Sequence, residues 1–165
     1  MTIQYEPIGI IHTPFTDLQG MPIQPTADAA AQGTVEIFPQ FQAGLKDLEG
    51  FSHIILLYHF HKSQGYRLQV VPYLDTREHG VFATRAPKRP NQIGLSIVRL
   101  LGIEQGRLQI EQIDVLDGTP LLDIKPFVPD FQSCEDVRTG WLEEVKGRLA
   151  TTTSDNRFTD LEHVD

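Results

Sequence analysis

Ile93-Gly-Leu-Ser-Ile-Val-Arg-Leu-Leu101, Gly-Ile-Glu-Gln-Gly106 and Arg107-Leu-Gln-Ile-Glu-Gln-Ile-Asp-Val115 form one continuous stretch. Two short runs rich in Ile, Val and Leu flank Glu104-Gln105-Gly106, where Gly106 can supply the positive φ of a tight hairpin turn. Working outward, similar runs occur at Ile3 to Ile11, Thr34 to Phe38, Ser52 to Phe60, Arg67 to Tyr73 and Val81 to Thr84, most of them bounded by turn residues. Many strands at short spacing with few helical patterns between them predict a mainly β protein, an antiparallel sheet closed into a β-barrel with short helices.

Two segments have helical spacing. Pro39 to Leu48 places Phe41, Leu45 and Leu48 on one side and stops at Gly50. Asp136 to Leu149 repeats Val137, Trp141, Val145 and Leu149 every fourth residue, which predicts a C-terminal helix docked on the barrel by Trp141. Residues 1–150 are read as a single barrel domain, and the polar stretch 151–165 as a mobile tail. The segment Thr16 to Gln32 has no period, and a loop that long inside a compact domain suits a lid or a binding loop.

The chain has 165 residues, with 14 Lys plus Arg against 22 Asp plus Glu and a formal charge of −8. A domain of this length hides roughly 70% of its unfolded-chain surface, so it needs no covalent staples. Its one cysteine, Cys134, excludes an internal disulfide and CxxC redox chemistry, and fits a reducing, cytoplasmic setting. The longest apolar run, Ile54 to Tyr58, is far short of the roughly 20 residues that span a bilayer, so no membrane is expected. There is no GxxxxGK[ST] loop, no GxGxxG after a strand and no GxSxG elbow. An adenosine cofactor would have to be held by some other architecture.

Three groups of residues could carry chemistry. His53, His59 and His61 share strand parity and could hold a metal, although no carboxylates accompany them; hydrogen-bonding histidines are the plainer reading, and no metal is assigned. Between Arg77 and Arg89, four cations face only Glu78, a local +3 that leaves −11 for the rest of the chain. Guanidinium groups stiffened by Pro87 and Pro90 suit bidentate binding of an anion or carboxylate. Asp123 and Lys125 share a face beyond the Asp117-Gly118 turn, as a surface pair or as a pocket wall.

Taken together, Gly50-Phe51-Ser52-His53, Phe60-His61, Gly80-Val-Phe-Ala-Thr-Arg85, Arg89-Pro-Asn-Gln-Ile-Gly-Leu-Ser96 and Asp117-Gly-Thr-Pro-Leu-Leu-Asp-Ile-Lys-Pro126 closely resemble one family. It is the TrmO-like (YaeB-like) S-adenosylmethionine-dependent tRNA methyltransferases, and the likeness runs in order from about Tyr5 to Pro129. The resemblance implies a homodimeric barrel that methylates N6 of N6-threonylcarbamoyladenosine at tRNA position 37. It implies cofactor contacts from Gln24, Pro25, Thr26, His61, Lys62, Arg85, Leu95 and the turn Asp117, Gly118, Thr119 and Pro120. The family commonly has Arg, Pro and Tyr where this chain has Ile23, Gln92 and Phe127.

The acceptor nitrogen is a weak nucleophile because it carries a carbonyl, so a base or a stabilising cation would help its methylation. Asp117 and Asp123 are candidate bases. Arg89 and Lys125 could orient the threonyl carboxylate, and Lys88, Arg89 and Asn91 are the expected substrate contacts. The alternatives are a metal-dependent enzyme built on the three histidines and a non-catalytic RNA-binding barrel.

Overall fold

The computed structural model describes residues 2–17, 31–132, 134–145 and 154–158. Six strands close a barrel: β1 (Gly9–His12), β2 (Gln32–Ile37), β3 (His53–His59), β6 (Ile93–Glu104), β7 (Arg107–Glu111) and β8 (Thr119–Pro126). Their order around the barrel is β1-β2-β7-β6-β3-β8, every pairing is antiparallel, and β8 returns to β1. The remaining two, β4 (Gln69–Val70) and β5 (His79–Gly80), form a short ribbon inside the long connection from β3 to β6. Among the described residues no helix is long and apolar enough to cross a membrane.

Strict alternation on β3 and β6 turns Ile54, Leu56, Tyr58, Val98 and Leu100 inward, where they meet Ile11, Val35, Leu108, Ile110 and Leu121. Each such side chain contributes roughly 1.5–3 kcal/mol on burial. The interior is therefore filled, and a ligand must bind at an end of the barrel or on its wall. Gly94 is fixed by this packing, since a Cβ there would lie 2.2 Å from the Tyr58 ring. The β6–β7 hairpin turns on Gln105 and Gly106, both at positive φ, as a two-residue turn between right-twisted strands requires.

Several expected spans differ. Val81–Ala83 is a 3-10 turn and not a strand, and Pro39–Leu45 and Leu48–Gly50 are two 3-10 segments in place of one helix. The C-terminal helix is a short 3-10 segment, Gly140–Val145, because Asp136 and Gly140 take positive φ and interrupt any helix begun earlier. Trp141 docks on the β3–β6 connection and not on the barrel: its Nε1–H donates to the Ala83 carbonyl at 2.8 Å, and its ring stacks on His79. Within the stretch expected to be mobile, Phe158 packs on Val70, Val81 and Ala86, and Arg157 donates to the Pro72 carbonyl. Leu149, 151–153 and 159–165 lie outside the described residues.

Candidate functional site

The antiparallel order gathers three connections at one end of the barrel, which we call the mouth. They are the residues after β1, the 60–92 excursion after β3, and the turn from Gln112 to Gly118 before β8. His61, Lys62, Arg85, Asp117 and Gly118 lie on these mouth segments, and Thr119 and Pro120 are the first residues of β8 at the same end. Gln24, Pro25, Thr26 and Ile23 fall outside the described residues.

The mouth turn is knitted to β1. The Gly118 amide donates to Ile11 O at 2.9 Å and the Asp117 amide to Phe15 O at 2.7 Å. Asp117 Oδ1 accepts the Thr13 amide at 3.0 Å and lies 3.5 Å from His12 Nδ1, while Oδ2 has no partner among the described residues. The single hydroxyl proton of Thr119 goes to Leu116 O at 2.7 Å. Toward His61 Nδ1, at 3.3 Å, that hydroxyl can only accept, so the contact selects the Nδ1–H tautomer and leaves Nε2 with its lone pair. Burial and the neighbouring Lys62 also lower the His61 pKa, which favours the neutral ring.

A second chain of polar groups reaches the mouth from inside the barrel. Ser96 Oγ donates to Asp114 Oδ1 at 2.6 Å, so Tyr58 O–H, 3.0 Å away, donates to Ser96. Burial raises both the Asp114 and the Tyr58 pKa, and Arg85 is the cation that offsets this for each. Tyr58, Ser96, Asp114, His12 and Thr13 were not singled out from the sequence. The signal available was Ser96, a hydroxyl at an inward position of β6 that needed a partner.

Arg89 is committed to the main chain. One guanidinium nitrogen donates to Val81 O, Thr84 O and Ala86 O at 3.1, 2.8 and 3.3 Å, which fixes the loop that carries Arg85. Lys88 Nζ donates to Gln64 O, and Gln92 Nε2, where the family commonly has proline, donates to Gly65 O. Asn91 is exposed beside them. Leu95 stands apart from the mouth residues on the outer wall, opposite Leu57.

Asp123 and Lys125 are not brought to the mouth. They lie in the half of β8 that runs away from it, with Lys125 Nζ 2.8 Å from Asp123 Oδ2. The histidine set also separates. His53 and His59 sit at opposite ends of β3, about 20 Å apart at the rise of a strand, and His61 bonds Thr119 beyond the strand end. They cannot share a metal ion, so the metal-enzyme alternative on this face is withdrawn.

A family model described as the tRNA-methyltransferase O N-terminal domain matches residues 10–133. The chain belongs to this family. It is 54% identical over 161 residues to a probable S-adenosyl-L-methionine-binding protein of Pyrococcus abyssi, covering 98% of this chain and 88% of that one. It is 37% identical over 139 residues to the tRNA (adenine(37)-N6)-methyltransferase of Mus musculus, covering 80% of this chain and 32% of the mouse protein. Among solved structures, the crystal structure of TrmO from Pseudomonas aeruginosa superposes with a TM-score of 0.72 at 45% identity, covering 86% of this chain and 63% of that one. This family member thus spans about a third of the mouse protein and under two thirds of the Pseudomonas chain.

Proposed function

We propose that the chain transfers the methyl group of S-adenosylmethionine to N6 of N6-threonylcarbamoyladenosine at position 37 of tRNA, as a cytoplasmic homodimer. The observation that carries this reading is the convergence of His61, Lys62, Arg85 and the Asp117 to Pro120 turn at the mouth of a barrel of this family. Those residues fit the cofactor chemically. The open Asp117 Oδ2 suits an ammonium or ribose hydroxyls, and Lys62 and Arg85 suit a carboxylate. Gln24, Pro25 and Thr26 complete the proposed set.

The bound cofactor supplies an electrophilic methyl on a sulfonium. The protein's part is to hold the acceptor nitrogen in line with that methyl, to exclude water and to take the proton that N6 loses as the N–CH3 bond forms. His61 is suited to take that proton, because its Nε2 is unprotonated and its ring is oriented through Thr119. Arg85, opposed by the Asp114 carboxylate, can steady negative charge on the threonylcarbamoyl group.

Dimerisation has support on the wall. Ile93, Leu95 and Ile97 of β6 are 39%, 42% and 38% exposed, next to Ile55 and Leu57 of β3, and Leu95 belongs to the proposed cofactor set. A second protomer on this wall would cover the strip and bring Leu95 to a site shared between subunits.

The test combines thermal shift with methylation of tRNA that carries or lacks the threonylcarbamoyl group. S-adenosylmethionine raises the melting temperature by mass action, and only the modified tRNA is methylated. The rate falls as pH drops below about 6.5 through the lowered His61 pKa, because protonation removes the Nε2 lone pair, and His61→Gln abolishes that limb. RNA binding without a cofactor shift would instead establish a non-catalytic RNA-binding barrel.

A further inference from the structure

The excursion from 60 to 92 carries six cations, Lys62, Arg67, Arg77, Arg85, Lys88 and Arg89, against Asp75 and Glu78. Its net charge is thus +4 within a chain of −8, leaving −12 elsewhere. Arg77 and Arg89 are spent internally: Arg77 pairs with Asp75 and Glu144, and Arg89 holds three carbonyls, so neither is counted toward a ligand. Lys62 and Arg85 are exposed. Among the described residues Lys88 donates to a neutral carbonyl, and it shares a cleft with Arg67, Arg157 and the single acid Glu78.

The same segment exposes three large apolar side chains. Phe82 is 75% exposed, Tyr66 61% and Leu68 60%. Main-chain bonds bring them beside the cations, with the Arg67 amide on Lys88 O at 3.2 Å and the Val81 amide on Leu68 O at 2.9 Å. The Arg89 guanidinium lies 5.9 Å from the centroid of the Phe82 ring. A large apolar side chain left in solvent adds little to folding, and three of them on one excursion, two aromatic and one aliphatic, need another explanation. Exposed rings interleaved with cations form the surface on which unpaired bases stack while their phosphates are neutralised. Chemistry on a base also requires it to leave its stack, and its neighbours must then be held.

We infer that the rings of Tyr66 and Phe82, with Leu68 as an apolar floor beside them and Lys62, Arg85 and Lys88 as phosphate partners, form a stacking platform that binds the unpaired loop nucleotides of the RNA substrate beside the mouth. The inference rests on the tRNA methyltransferase reading above and locates the RNA on this chain. A second copy of the chain is the less suited occupant, since the β3–β6 wall offers it the apolar strip of Ile55, Leu57, Leu95 and Ile97, where the flanking Lys125 is neutralised by Asp123.

The probes are an anticodon stem-loop RNA and a blunt duplex of the same stem, titrated against the full chain. Phe82→Ala and Tyr66→Ala should each weaken stem-loop binding about fivefold to a hundredfold while leaving duplex binding and S-adenosylmethionine affinity unchanged. Phe82→Trp should restore the first loss. Lys88→Gln should reduce the slope of log K against log salt by about 0.7, one phosphate's share on a single strand. Wild-type stem-loop affinity in both alanine variants overturns the platform. Loss of RNA binding together with a change in sedimentation mass overturns it in favour of a protein interface. If the wild-type protein binds cofactor but no stem-loop, the tRNA reading itself fails and the platform fails with it.

Discussion

The barrel and the 60–92 excursion are parts of one chain that hold their shape by different means. In the barrel, six strands satisfy one another's main chain through ladders with register shifts at Leu57/Tyr58 and Leu100/Gly102, and the hydrophobic core is made of aliphatic side chains and one buried tyrosine. In the excursion the ladder is only the two-residue ribbon β4–β5, over a small cluster of Val70, Val81, Ala86 and Phe158. Much of the rest is fixed by side chains, through the Asp75–Arg77–His79 cluster and through Arg89, Lys88, Gln92, Ser63, Trp141 and Arg157 donating to main-chain carbonyls. A ladder distributes stability over many residues, whereas each of these anchors fixes one stretch of loop. The proposed site residues Lys62 and Arg85 therefore ride on the part of the molecule with the lower local stability.

Breaking the barrel side of that contrast should have the largest effect. Gly94→Val places a side chain on β6 against the Tyr58 ring, where both strands are held in the ladder and cannot yield. Overpacking of this kind costs about 1–3 kcal/mol, which for a chain of this length lowers the melting temperature by roughly 2–10 °C. Calorimetry should show one cooperative transition at lower temperature, partly restored when Tyr58→Leu is added. An unchanged transition in Gly94→Val would show that the interior is looser than the packing described.

Arg89→Ala attacks the other side. It removes three hydrogen bonds from a charged donor, and the barrel makes none of them. Global stability should fall by about 1–3 kcal/mol at most, while amide exchange at 81–86 accelerates and S-adenosylmethionine affinity drops about tenfold through Arg85. Exchange that quickens equally in β3, β6 and β8 would mean that the excursion and barrel form one cooperative unit.

The same contrast explains what the sequence made legible. Alternation at Ile54, Leu56 and Tyr58, or at Ser96, Val98 and Leu100, writes the inward face of a strand directly into residue order, and Gln105-Gly106 marks its hairpin. Val81 to Thr84 has equally strand-like composition but folds as a 3-10 turn. Arg89 draws the carbonyls of Val81, Thr84 and Ala86 to one point, and a strand would send successive carbonyls to opposite sides. An anchor several residues away leaves no periodic trace. The mouth was legible in part for the same reason: the turn at Asp117-Gly118 is local, with Gly118 at a φ of 74°. The Tyr58–Ser96–Asp114 chain crosses from β3 to β6 to the turn after β7, and the β3–β6 pairing that makes it spans the whole 60–92 excursion, so residue order carries no local trace of it.

The smallest effect is expected where two charged residues look most like chemistry. Asp123 and Lys125 sit on β8, and Asp123 lies four residues, or about 13 Å, along the strand from Thr119 toward the end opposite the mouth. Both carboxylate oxygens of Asp123 are engaged locally, Oδ2 by Lys125 Nζ at 2.8 Å and Oδ1 by the Ile124 amide at 2.9 Å. Their side chains are 59% exposed for the lysine and 45% for the aspartate, and an exposed ion pair contributes about 0–1 kcal/mol. Asp123→Asn and Lys125→Ala should therefore leave turnover at saturating cofactor within about twofold of wild type and shift stability by less than about 1 kcal/mol. A general base contributes about 100-fold to 10,000-fold to a rate, so a catalytic Asp123 would be unmistakable in the same assay. A hundredfold loss in Asp123→Asn would move the proton-accepting step from the mouth to the outer wall, which the chain could accomplish only by presenting that wall to the mouth of a second protomer.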